Sequence, residues 1–100
     1  MTENRRRHRR ITGPYDGNWD GSAGARDCRI TDLSADGCFI DSFSRPEMGG
    51  EVTITVGLAG RSFTIPGKVV HVDTVQGFGV QFTESDATRQ LATALDALAS

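Results

Sequence analysis

Hydrophobic and polar positions alternate most cleanly in the middle of the chain. Val52, Ile54, Val56 and Leu58 are separated by polar residues or glycine, the period-2 signature of a strand with one buried face. Ala59-Gly60-Arg61 supplies a hairpin turn, and Phe63 and Ile65 continue the alternation on a return strand. Pro66-Gly67 is expected to break that strand or put a bulge in it, before Lys68–Val72 extends it. Gly77–Phe82 (GFGVQF) reads as a final strand with Phe78, Val80 and Phe82 on one face. Upstream, Cys28, Ile30 and Asp32 end one strand, Cys38–Phe43 begins another, and LSADG between them is the turn. Residues 44–50 are loop. Ile11, Tyr15 and Trp19 are spaced by four, but residues 11–25 are so rich in Gly and Asp that an ordered loop is expected there.

The period then changes. Ala87, Leu91, Ala94, Leu95 and Leu98 fall on one stripe at helical spacing. Thr83 or Ser85 can cap this helix, expected over about residues 84–99, and Glu84 and Asp86 suit its positive end. A helix this short is marginal alone, so the stripe must dock on something. Five or six short antiparallel strands closed by one helix predict an all-β fold with a C-terminal helix, arranged as a small barrel.

The chain of 100 residues makes one domain. Its apolar runs reach only two or three residues, which excludes a membrane-spanning helix and predicts no membrane insertion. Cys28 and Cys38 read as free thiols, in keeping with a reducing cytoplasm. With His8 and His71 they form no metal-ligand spacing, and no nucleotide-hydrolase or Rossmann pattern occurs, so neither a metal site nor catalysis is expected.

Charge divides the chain. Residues 1–10 hold five arginines against one glutamate, whereas the remaining ninety hold six basic and twelve acidic side chains. Composition predicts a flexible arginine-rich arm over residues 1–10 and a globular part over 11–100. A basic head on an acidic body points to an anionic partner met by the head. The acidic body argues against a broad nucleic-acid-binding face, and any such contact would be confined to the arm.

Two segments carry candidate chemistry. Arg5-Arg6-Arg7-His8-Arg9-Arg10 is at its plainest a solvated basic tail. Asp32-Leu33-Ser34-Ala35-Asp36-Gly37 is at its plainest a good turn, in which Asp and Ser bond nearby amides and Gly37 supplies a positive φ. Taken together and in order, Arg6-x-x-x-Arg10 followed by Asp32-x-Ser34-x-x-Gly37 resembles the paired signature of the PilZ domain family. The resemblance extends to the GFGVQF strand and the closing amphipathic helix, and so spans most of the chain.

The resemblance implies a six-stranded antiparallel β-barrel that binds the bacterial second messenger cyclic di-GMP, with no cofactor and no catalysis. Arg10, followed by Ile11 where the family enters its first strand, matches the second signature arginine, and Arg6 the first. Arg5–Arg9 is an alternative frame, and Arg7 can reach a phosphate or a second ligand molecule. His71 lies near where many family members carry an aromatic that stacks on guanine; otherwise it is a surface strand residue. Trp19 is either a stacking platform or a core anchor. The family's first strand usually alternates apolar residues after the second arginine, whereas Gly13, Pro14, Asp16 and Gly17 interrupt it here.

The chemistry agrees with such a ligand. A guanidinium forks onto phosphate, pairs with guanine O6 and N7, or stacks on a base. Asp32 can accept from the N–H groups of guanine, Ser34 can bond a phosphate or hold the turn, and Gly37 allows close approach of backbone. Ordering six flexible residues costs about 6–12 kcal/mol, whereas a charge-assisted hydrogen bond contributes about 1.5–3 kcal/mol. Several arginines and the Asp32 turn must therefore act together. Two rival readings are an interaction module without ligand binding and a non-specific nucleic-acid contact by the arm. The chain stops two residues after Leu98, so the signal is expected to pass to an effector protein, with ligand drawing the arm across the barrel as in a gated adaptor.

Overall fold

The alternation in the middle of the chain becomes strand β4, Glu51–Leu58, in which Val52, Ile54, Val56 and Leu58 are all buried. The computed structural model describes residues 10–21, 24–42, 46–58 and 60–99. The side chains of residues 10–14 and of Leu98 and Ala99 lie outside that description, as do residues 1–9, where most of the arm expected from composition falls. The remaining strands are β1 (Arg10–Gly21), β2 (Gly24–Ser34), β3 (Gly37–Asp41), β5 (Arg61–Asp73) and β6 (Gly77–Phe82), followed by helix α1 (Asp86–Ala99). All pairings are antiparallel, and the six strands close into a barrel in the order β1-β2-β3-β6-β5-β4.

The loop expected over residues 11–25 is instead the long strand β1, turning into β2. A register shift between Thr12 and Tyr15 accommodates Gly13 and Pro14, as a bulge lets a strand carry an extra residue. Gly17, another interruption of the pattern, sits where β1 meets β4. A Cβ there would stand 2.4 Å from the carbonyl oxygen of Thr55, so the close approach that seals the barrel needs glycine. Arg10 also belongs to this first strand rather than to the preceding arm.

Strand β5 runs through Pro66-Gly67 without a break. The N and O of a strand residue face the same neighbour, and the Pro66 carbonyl accepts the Thr83 N–H at 2.8 Å, just beyond the end of β6. The missing proline donor therefore faces that end and costs no bond to β4. The bulge in β5 lies further on, between Val69 and His71.

Trp19 is 2% exposed and meets Phe78 edge-on with ring centroids 5.1 Å apart. It is a core anchor and not a stacking platform. Ser85 rather than Thr83 caps α1, its Oγ accepting the Thr88 N–H at 3.1 Å. The helix presents Leu91 and Leu95 to the core and packs against β5. Burying each leucine contributes about 1.5–3 kcal/mol, which is what holds so short a helix in place.

Candidate functional site

The β2–β3 turn is a polar corner clamped from several sides. The Ser34 hydroxyl accepts the Asp36 N–H at 3.2 Å and donates to the Gly37 carbonyl at 3.4 Å. The Asp36 carbonyl in turn accepts the Phe82 N–H at 2.7 Å, tying the turn to β6. Gly37 does not have the positive φ expected of a turn glycine; among the described residues those angles belong to Gly24, Gly49, Gly60 and Gly77. Its constraint is space. A Cβ on Gly37 would stand 2.1 Å from the carbonyl oxygen of Val80, so only glycine lets β3 start this close to β6.

A cleft of about 450 Å³ opens beside this turn, lined by Asp32, Ser34, Gly37 and Phe39, with Val70 and Gln81 across from them. Asp32 is half-buried, with one carboxylate oxygen fully enclosed. Across β1 and β2, Arg10 stands opposite Ser34 and Thr12 opposite Asp32. The start of the first strand is thereby brought to the rim of the turn. Arg5, Arg6, Arg7, His8 and Arg9 lie outside the described residues.

His71 is exposed on β5, opposite Gly79, with its ring centroid 6.4 Å from that of Phe39. It stands beside the cleft without lining it. Phe39, Val70 and Gln81 do line it and were not apparent in the sequence as site residues. The signal for Phe39 was present all the same: Cys38 and Ile40 are buried on either side of it, so alternation turns its ring outward.

The two thiols lie apart from the cleft's polar groups in character. Burial, reinforced by the charge of Asp27, pushes Cys28 from 9.0 up to about 11, and burial pushes Cys38 up further. Both stay protonated at neutral pH and so are poor nucleophiles. Among the described residues no group of three or more His, Cys, Asp or Glu could hold a metal ion, and no helix is long and apolar enough to cross a membrane.

A family model described as the PilZ domain matches residues 4–98, from the arginine-rich segment through the helix. The chain belongs to the PilZ domain family. PilZ domains are binding and adaptor modules, and the family is one of cyclic di-GMP receptors. The barrel is similar to the crystal structure of the PilZ domain of CeSA from a cellulose-synthesizing bacterium. The TM-score is 0.68 at 15% identity, over 88% of this chain and 98% of that one, a likeness that shows the shared fold. Comparison with curated proteins gives no match.

Proposed function

We propose that this PilZ domain is a cyclic di-GMP receptor that grips its ligand between the arginines of residues 5–10 and the Asp32-x-Ser34-x-x-Gly37 turn. Cytoplasmic and without catalytic activity of its own, it relays occupancy of the cleft to an effector protein. The observation that supports this reading is the register of Arg10 with Ser34. Neighbouring strands lie about 4.8 Å apart, so an arginine rooted opposite Ser34 is within side-chain reach of a phosphate above the turn. Arg6 is the preferred partner of Arg10, with Arg5 and Arg9 as the alternative frame and Arg7 serving a phosphate. Guanidinium groups fork onto phosphate and stack on bases, while Asp32 accepts from guanine N–H groups. His71 extends the surface available to a base.

Isothermal titration tests this reading. Cyclic di-GMP binds the wild-type chain, whereas GMP and duplex DNA do not compete. Arg10→Ala and Asp32→Ala each abolish binding while the melting temperature is kept. Unchanged affinity in both variants overturns the proposal.

A further inference from the structure

On the outer face of the barrel one row of residues crosses four strands. Asp32 pairs with Phe39, Phe39 with Gly79, and Gly79 with His71. Beside it, Gln81 stands opposite Gly37. Val80 and Phe82 are buried, so Gln81 between them faces outward and is exposed. Phe39 is half-buried beside Gly79, where a built Cβ would lie 3.8 Å from the Phe39 ring and 3.5 Å from the Cβ of His71, in ordinary contact with both.

The bulge in β5 adds to this surface. It turns Val70 and His71 outward in succession, leaving Val70 46% exposed on the wall of the cleft. Bulges commonly re-aim a side chain next to a site. Here the re-aimed side chain is apolar, and it shares the cleft with a half-buried phenyl ring.

Resting on the cyclic di-GMP reading, we propose that Phe39, Val70 and Gln81 complete with Asp32 a subsite that selects guanine over adenine. Phe39 and Val70 give a flat base apolar surface, and Gly79 puts no side chain in its way. Asp32 lies on one side of Phe39; Gln81 lies diagonally on the other, about 7–8 Å away by strand geometry. Guanine carries N–H donors at N1 and N2 and acceptors at O6 and N7. A carboxylate meets the donors, and the amide NH2 of glutamine meets an acceptor. Adenine places an acceptor at N1 and a donor at N6, so the same carboxylate would face a lone pair.

Calorimetry of the full chain with cyclic di-GMP and cyclic di-AMP tests the subsite. Gln81→Glu replaces the donor on an exposed strand position. It weakens cyclic di-GMP by about tenfold or more and narrows its preference over cyclic di-AMP, at unchanged melting temperature. Phe39→Leu keeps apolar bulk but removes the ring, and weakens cyclic di-GMP by about fivefold or more. If Phe39→Leu also lowers the melting temperature, Gln81→Glu alone decides. Wild-type affinity and preference in Gln81→Glu overturn the subsite and leave the receptor reading standing. Failure of the wild-type chain to bind cyclic di-GMP overturns that reading itself.

Discussion

Arg10 and Ser34 stand opposite each other across the β1–β2 pairing, the first residue of one strand beside the last residue of the next. The first residue of β1 is thereby set in register with the turn that forms one wall of the cleft.

The arrangement predicts that cyclic di-GMP slows amide exchange over residues 4–10. Ligand that bridges arginines and turn must order the backbone between its contacts. Hydrogen exchange read by mass spectrometry measures this directly, and equal protection with and without ligand would count against a gated strap.

Two glycines of the cleft respond differently to one added methyl group. Gly37→Ala drives a Cβ into the Val80 carbonyl and destabilises the fold by about 1–3 kcal/mol. Gly79→Ala meets its neighbours at ordinary contact distance and changes stability by less than about 1 kcal/mol. Urea denaturation of both variants checks the contrast, and equal stability changes in the two would show that crowding does not constrain Gly37.

Trp19 combines large burial with an indole Nε1–H that has no hydrogen-bond partner among the described residues. Trp19→Ala should cost about 3–5 kcal/mol. Trp19→Phe should cost markedly less, because it also removes a buried donor whose isolation is worth about 1–3 kcal/mol. Equal losses in the two variants, measured by chemical denaturation, would show that the indole N–H is satisfied in solution.

Cys28 and Cys38 make stability fall in alkali. Their folded pKa values are raised, so the neutral thiols favour the folded state. The stability contributed by Cys28 is fully present below 9.0, its ordinary value, and is lost as pH rises towards about 11. Cys38, pushed up by burial, acts in the same direction. Denaturation across the alkaline range should show Cys28→Ala losing part of this decline, and thiol reagents should label the folded chain slowly.

Much of this fold was legible because one face of each strand is buried. Val52 to Leu58, Phe63 and Ile65, and Phe78 to Phe82 alternate cleanly, and Leu91 and Leu95 mark the helix face. The Asp32-x-Ser34-x-x-Gly37 turn was equally visible, since its residue types suit a tight corner. β1 was not. Its Gly13, Pro14 and Gly17 look like loop residues, yet two lie at a register shift and the third permits a close backbone approach. Such demands come from a neighbouring strand far along the chain, and local composition does not report them. Phe39, Val70 and Gln81 escaped for a related reason: they become neighbours only when β3, β5 and β6 are laid side by side.

Among the described residues Gly17 to Asp20 join β1 to β4, whereas β4 and β5 pair along the whole of β4. That join, made between strands far apart in the sequence, is a seam of the cylinder. The strand that closes the seam begins at Arg10, so a molecule held at one end of β1 would also tension its other end. Occupancy at the rim would then be felt across the barrel as a more reluctant opening of the Thr53–Val56 edge.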